Sequence, residues 1–163
     1  MPDYGNKYED FLFHKIDDSD LLSGFLIGHL VIEILLEKIA SNYDIKLKEH
    51  FLSLTHSRKI NFLKSLELID DGTASGLQKI NRMRNKFANE LGYEPNKGEL
   101  LNLISNLRAN FCDITGGLEQ LHEALEECNT LQSANEKYGC GLADLFIQIV
   151  YDLEEYRKNE AAV

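Results

Sequence analysis

The stretch LLSGFLIGHLVIEILLEKIA, from Leu21 to Ala40, decides the fold of this chain. It places apolar residues on nearly every side of a helix, and a helix of this kind belongs in the centre of a bundle. Ser19 and Asp20 can each cap its N-terminus, and the apolar pattern continues to about Asn42. The sequence therefore predicts a central helix over Leu21–Asn42.

This stretch is long enough to suggest a membrane span, but polar residues interrupt it. His29 and Glu33 lie four apart on one helical face, and Glu37 and Lys38 follow them. Charged groups at membrane depth are costly, so a buried helix of a soluble protein is the better interpretation. The N-terminal MPDYGNKYEDF is acidic and lacks an apolar core, so we expect no signal peptide.

The rest of the chain also has helical patterns. Helices are predicted near Lys46–Leu54, Ser57–Leu68 and Leu77–Leu91, and Thr73 or Ser75 can cap the third of them. No segment alternates with a period of two, so strands are not expected. We predict one all-α domain over residues 1–163, an up-and-down bundle of about five to six helices with its core at about residues 20–155.

A heptad pattern predicts one long helix in the second half. Asn96 and Glu99 form a variant of the capping box, which predicts a helix start near Lys97. Apolar residues then recur at alternating spacings of four and three: Leu100, Ile104, Leu107, Phe111, Ile114, Leu118, Leu121, Leu125 and Cys128. We interpret them as the seam of a helix over Lys97–Cys128 that packs beside the central helix, in preference to a coiled-coil surface for a partner. Gly116–Gly117 is expected to kink this helix, and a last helix uses apolar residues from Leu142 to Leu153.

The cysteines predict a cytoplasmic protein. Cys112, Cys128 and Cys140 are odd in number and include no C-x-x-C pair, which argues against a disulfide framework and a zinc knuckle. Cys112 and Cys128 fall within a helical pattern, where a free cysteine is usually a small buried hydrophobe. We expect free thiols, no metal and no cofactor.

The charge is spread unevenly along the chain. A net charge of −10 argues against indiscriminate nucleic-acid binding. The region from Lys46 to Lys86 is nevertheless basic, and its cations are Lys46, Lys48, Arg58, Lys59, Lys64, Lys79, Arg82, Arg84 and Lys86. This pattern is compatible with a local basic surface and with ordinary solvated helix faces.

Arg84 is the unusual cation of this region. On a helix it falls in a stripe with the apolar Ile80, Phe87 and Leu91. A guanidinium in that position needs a partner or a wet interface, because burying it unpaired is costly. Lys79, Arg82 and Lys86 are expected on other faces as binding residues.

Asn85 and Asn89 lie on a face beside that stripe. Arg84 and Asn89 are five residues apart, so about 140° separates them around the helix. They can act on one small ligand only if another surface completes the site. A dimer interface across this helix would supply that surface.

The segment RMRNKFAN, after a helix that contains LVIEILLEKI, resembles the HEPN superfamily of small all-helical proteins. Active members carry an arginine, a polar residue directly after it and a histidine four to six residues later. Arg84 and Asn85 match the first two positions, and Asn89 stands at the histidine position. Glu33 falls where many members keep a glutamate. GFLIGHLVIEILLEKI and LKSLELID also resemble the mannitol operon repressor group within this superfamily.

The resemblance implies a helical bundle, usually a homodimer, whose motif helices face each other in a positive cleft. Active relatives are metal-independent ribonucleases, in which the arginine holds phosphate charge and the histidine assists attack by the 2′-hydroxyl. Asn89 departs from this pattern, because an amide does not titrate near neutral pH and cannot relay a proton. Asn89 is therefore either a natural loss of the histidine or an engineered replacement. Nothing in the sequence places His29, His56 or His122 beside Arg84.

Three functions remain open. The first is a non-catalytic or weakly active HEPN-like homodimer that binds RNA or a protein in a regulatory, defence or toxin–antitoxin context. The second is a regulator similar to the mannitol operon repressor group that acts by protein contacts. The third is a ribonuclease whose histidine is replaced by Asn89. The sequence has no DNA-binding motif, no Gly-rich phosphate loop and no metalloprotease motif.

His29 and Glu33 have two interpretations. Residues four apart on a helix could provide half of a metal site, but no third or fourth ligand can be identified from the sequence. A satisfied core pair is therefore the preferred interpretation of these supporting residues. Glu33 is also a candidate for the buried partner of Arg84, because both interrupt apolar stripes.

Overall fold

The computed structural model describes the backbone of residues 4–16 and 19–161, and the side chains of residues 9–16 and 19–156. Those residues form helices and no strands, which confirms the all-α class. There are nine helices in the described ranges, more than the five to six expected. They are α1 Tyr4–Ile16, α2 Leu21–Tyr43, α3 Leu47–Leu52, α4 His56–Ser65, α5 Asp71–Asn89, α6 Lys97–Asn110, α7 Gly116–Glu127, α8 Leu131–Tyr138 and α9 Leu142–Ala161.

Helix α2 lies at the centre, as its apolar pattern predicts. Asp20 caps it by accepting a hydrogen bond from Ser23 N at 2.8 Å. Phe25 and Leu36 on α2 are fully buried. The main neighbour of α2 is α9, and a Cβ on Gly28 would come within 2.5 Å of the Phe146 ring, so the two helices pack very closely. None of the helices in the described ranges is long and apolar enough to cross a membrane.

The predicted long helix over Lys97–Cys128 is wrong. Helix α6 ends at Asn110, and α7 begins at Gly116, so Gly116 starts a new helix instead of kinking an old one. The apolar residues of the predicted seam still face the core on both helices. Leu107 is fully buried before the break, and Leu118 is fully buried after it. The main neighbour of α2 is therefore α9 and not this segment.

Polar contacts to α9 hold the segment between α6 and α7. Thr115 N donates to Gln148 Oε1 at 2.6 Å and Cys112 N donates to Asp152 Oδ1 at 3.1 Å. Cys112 is consequently outside any helix and exposed, contrary to expectation, whereas Cys128, the residue directly after α7, is buried as expected. Buried α9 side chains thus replace the helical hydrogen bonds that this segment lacks.

The motif helix α5 begins six residues earlier than predicted and ends two residues earlier, so Leu91 lies outside it and is exposed. It starts at Asp71 because Asp70 caps it, with Asp70 Oδ1 accepting from Thr73 N at 2.7 Å. Thr73 is therefore inside the helix, and its Oγ1 lies 3.1 Å from Asp152 Oδ2 and 2.9 Å from Tyr156 OH. This buried contact ties α5 to α9. Burial raises the pKa of Asp152 above its usual range.

The capping box of α6 is confirmed. Asn96 Oδ1 accepts from Glu99 N at 2.8 Å, and Glu99 Oε1 accepts from Asn96 N at 3.5 Å. Helices α1 and α8 were not expected from the sequence. One apolar core runs through the bundle from Leu12 to Leu153.

Candidate functional site

Arg84 lies half-buried on α5, beside α2. Its Nη1 donates to Asn85 Oδ1 at 3.2 Å. Its Nε is buried, and no described residue accepts a hydrogen bond from it. Arg84 is close enough to His29 to influence the titration of that imidazole. The Nε end of Arg84 is therefore buried near α2, whereas its Nη1 bonds to the exposed Asn85.

Three side chains form a group beside it that we call the histidine cluster: His29, Glu33 and His56. His29 and Glu33 are one turn apart on α2, and His56 is the first residue of α4. His56 Nδ1 contacts Glu33 Oε1, and the centroids of the two imidazole rings are 4.0 Å apart. No sequence pattern signals His56, because 23 residues separate it from Glu33.

Lys59 completes the electrostatics of this cluster. Its Nζ lies 2.6 Å from Glu33 Oε2 and 3.5 Å from Glu37 Oε1, and its side chain is buried. Glu33 therefore has His56 and Lys59 as its partners, and the expected pairing of Glu33 with Arg84 is wrong. Burial acts to raise the pKa of Glu33, but the hydrogen bonds from His56 and Lys59 outweigh it and lower this pKa to about 2.

His29 is held in its neutral form. Burial, followed by electrostatic interaction with the neighbouring His56 and Arg84, lowers the pKa of His29 to about 4. The Asn81 side chain hydrogen bonds to the same imidazole and acts in the opposite direction. At neutral pH His29 is therefore an uncharged group with nitrogen lone-pair chemistry.

Asn89 does not take part in this arrangement. It is exposed and is the last residue of α5, whereas Arg84 is half-buried and turned toward His29. Among the described residues, no hydrogen bond joins Arg84 to Asn89. His122, the remaining histidine considered above, lies on α7 with its Nδ1 3.9 Å from Glu126. The structure thus places Arg84 beside Asn85 and His29, groups His29 with Glu33, and leaves Asn89 apart.

The three other cations of the motif helix line one open surface. Lys79, Arg82 and Lys86 lie along a groove of about 530 Å³ between α5 and α6, which we call the basic groove. Lys79 Nζ donates to Asn102 Oδ1 at 3.0 Å, and Lys86 Nζ lies 3.3 Å from Glu99 Oε2. Arg82 is exposed and forms no hydrogen bond or ion pair with another described residue. The guanidinium of Arg82 is therefore available to a ligand.

A second surface is apolar and lies on α2. Four large side chains at intervals of four residues are exposed, and we call them the α2 stripe: Leu22, Leu26, Leu30 and Ile34. Leu30 is 60% exposed, the most of the four. A central helix with an uncovered apolar row is unusual, because such rows normally pack against a neighbour.

No protein-family model matches this chain, and neither a curated protein nor a solved structure is significantly similar to it. The resemblance of the motif helix to HEPN proteins therefore stays a prediction from a short segment. Three features of the structure bear on function: the histidine cluster, the basic groove and the α2 stripe.

Proposed function

We propose that the protein is a HEPN-like helical module that binds single-stranded RNA through the basic groove without cleaving it. The observation that carries this proposal is the alignment of Lys79, Arg82 and Lys86 along one open groove of about 530 Å³. They are the cations that the sequence pattern marks as binding residues. Glu99 also lines the groove, so three cations and one carboxylate leave it a net charge of +2 in an otherwise acidic chain, and such a surface attracts a polyanion.

The spacing of these cations suits a nucleic-acid strand. Residues three and seven positions after Lys79 share its helical face, and the row spans about 10 Å at 1.5 Å per residue. A strand lying in the groove would place successive phosphates beside successive cations, which is the usual way in which proteins hold single strands. Lys79 is already held by Asn102, so it loses less side-chain freedom on binding, whereas Lys86 must exchange its Glu99 partner for a phosphate.

The proposal is for binding and not for catalysis because of Asn89. General acid–base chemistry requires a group that titrates near the working pH, and an amide does not. Asn89 is also exposed at the end of α5, on a different side of the helix from Arg84. Single-stranded RNA with an intact backbone is therefore the expected ligand.

The test is fluorescence anisotropy with a labelled single-stranded RNA of mixed sequence, titrated with the full chain at several salt concentrations. Arg82→Ala and Lys86→Ala are each expected to weaken binding and to reduce the magnitude of the salt slope by about one phosphate contact. Lys48→Ala is the matched control, because Lys48 is an exposed lysine on α3. Its affinity and salt slope are expected to equal those of the wild type.

Two results would overturn this proposal. One is an absence of salt-dependent RNA binding by the folded wild type. The other is an equal loss of affinity in Lys48→Ala and Arg82→Ala, which would indicate nonspecific attraction to any lysine or arginine. Gel analysis of the RNA after incubation reports cleavage independently of binding.

A second candidate, regulation by protein contacts, is favoured by the α2 stripe. Residues four apart form the ridges by which helices commonly pack at about −50°, and such a ridge can pack against its own copy across a two-fold axis. The exposed row from Leu22 to Ile34 is about 18 Å long at 1.5 Å per residue. It supports a homodimer, and a regulator of the mannitol operon repressor type would use the same row for its contacts.

The oligomeric state tests this candidate. Sedimentation velocity of Leu26→Glu and Leu30→Glu is expected to show monomers where the wild type forms dimers, because a buried unpaired carboxylate opposes association. Leu52→Glu is the control, since Leu52 is a leucine on α3 with 48% exposure. A monomeric wild type, or dissociation in the control, would contradict self-association through α2.

A further inference from the structure

The histidine cluster contains two buried nitrogens that no described residue satisfies. Nε2 of His29 and Nε2 of His56 both lack a hydrogen-bond partner. His29 is only 9% exposed, and its imidazole is a buried polar group inside an apolar helix face. Buried polar atoms are normally paired, and leaving them unpaired costs free energy. Two such atoms in one cluster indicate that a ligand belongs there.

The histidine cluster offers the types of donor atom that transition metals prefer. One donor atom from each of His29, Glu33 and His56 lies within 4.8 Å of the other two. Donor atoms around a tetrahedral ion with bonds of 2.0–2.1 Å are about 3.4 Å apart, so modest side-chain rotations close the triangle. Two imidazoles and one carboxylate are also the ligands of zinc sites that keep a fourth position open.

We propose that the histidine cluster binds a divalent transition-metal ion of the zinc class, with His29, Glu33 and His56 as its three protein ligands. The i, i+4 pair on α2 supplies two of them from one rigid helix, and α4 supplies the third. Neutral imidazole and ionised carboxylate are the forms that coordinate such an ion. Mg²⁺ and Ca²⁺ are not expected to bind, because they prefer oxygen ligands alone.

The neighbouring cations, Lys59 and Arg84, limit the affinity of the histidine cluster for a metal ion. Lys59 Nζ contacts both Glu33 and Glu37, at 2.6 Å and 3.5 Å. When the Glu33 carboxylate turns to an ion, Glu37 still neutralises the ammonium. Lys59 and Arg84 repel a further cation, so the affinity is expected in the micromolar range and below that of a structural zinc site.

The test uses the tag-free full chain, stripped with a chelator and titrated with Co²⁺ while its visible d–d absorption is followed. One equivalent is expected to bind, and Zn²⁺ but not Mg²⁺ should displace it. His56→Ala and Glu33→Gln are each expected to weaken Co²⁺ binding at least about 100-fold, since loss of an outer partner alone costs 10–100-fold. His122→Ala is the matched control, because His122 and Glu126 form an i, i+4 pair without a third ligand.

Lys59→Met supplies a second measurement that does not depend on removing a ligand. It keeps an apolar stem of similar length and removes the competing ammonium, so Co²⁺ is expected to bind about 10-fold more tightly. A purely structural role of the cluster predicts no such gain.

Circular dichroism checks that each variant is helical, and Co²⁺ binding by Lys59→Met tests the proposal if His56→Ala does not fold. The proposal is overturned if the wild type shows no d–d band at millimolar Co²⁺, if folded His56→Ala retains the band, or if folded Lys59→Met binds no more tightly.

Discussion

Lys59 Nζ lies 2.6 Å from Glu33 Oε2, and this ion pair joins α4 to α2 inside the bundle. The two side chains are 7% and 19% exposed, so water screens the pair only in part. His56 contacts the other oxygen of the same carboxylate. Glu33 is thus the common partner of two side chains from α4.

Glu33→Ala is expected to lower the free energy of unfolding by about 2–3 kcal/mol. Removing one partner of a buried pair typically costs 3–5 kcal/mol, and Glu37, 3.5 Å from Lys59, reduces that cost here. Urea denaturation measures the change. Glu126→Ala removes the exposed carboxylate of the His122 pair and should change stability by less than about 0.5 kcal/mol. An equal decrease in the free energy of unfolding of both variants would show that the Glu33 contacts contribute no more to stability than an exposed pair does.

Asn89→His is expected to create weak cleavage of single-stranded RNA that chelators do not inhibit. An imidazole at this position can transfer protons, and such assistance typically contributes about 10²–10⁴-fold. Arg84→Ala in the same chain should abolish the activity, because the phosphate charge would lose a stabilising group. The activity should also require a dimer, because Arg84 and Asn89 lie on different sides of α5. A purified Asn89→His dimer that cleaves no faster than the wild type would argue against a nuclease ancestry.

Asp152→Asn is expected to flatten the pH dependence of stability. Burial raises the folded-state pKa of Asp152, so the folded state binds its proton more tightly than the unfolded state does. This group therefore lowers stability as pH rises from about 3.9, the unfolded pKa, through the raised folded pKa. An amide keeps the contacts to Thr73 and Cys112 without the buried charge.

Urea denaturation of wild type and Asp152→Asn from about pH 4 to 8 measures the difference between their curves. Stability of the variant relative to the wild type should increase as pH rises across this window. Asp10→Asn, at an exposed position of α1, should run parallel to the wild type. A difference of the opposite slope would mean that Asp152 is stabilised as a carboxylate.

Gly28→Ala is expected to destabilise the bundle by about 1–3 kcal/mol, the usual cost of overpacking. The added methyl would lie 2.5 Å from the Phe146 ring, which cannot move freely because it is fully packed between α2 and its neighbours. Thermal unfolding monitored by circular dichroism measures the loss. Gly116→Ala is the control, because nothing lies within 4 Å of its added methyl. The control should be neutral or slightly stabilising.

Local signals in the sequence predicted the elements that depend on local physics. The central helix and the capping box at Asn96 and Glu99 were correct, because apolar periodicity and side-chain caps act within a few residues. The long helix was wrong because the seam residues on either side of Phe111–Thr115 keep the same spacing while the backbone leaves the helix. The side chains that satisfy this backbone come from α9, more than 30 residues later in sequence.

The candidate site also has one part that the sequence predicts and another that only the structure shows. The common face of Lys79, Arg82 and Lys86 follows from helical spacing and could be derived from the sequence. The position of His56 beside His29 could not, because it depends on how α4 returns across α2.

The close packing of α2 against α9 has a consequence for the protein during its synthesis. The last residue of α2, Tyr43, leaves the ribosome about 100 residues before Leu142, the first residue of its main neighbour. At translation rates of about 5–20 residues per second, the most apolar helix waits about 5–20 seconds for its partner. The apolar side chains of α2 are open to aggregation during that interval. We therefore expect ribosome-associated chaperones to bind the nascent chain after α2 has emerged and before α9 has been made.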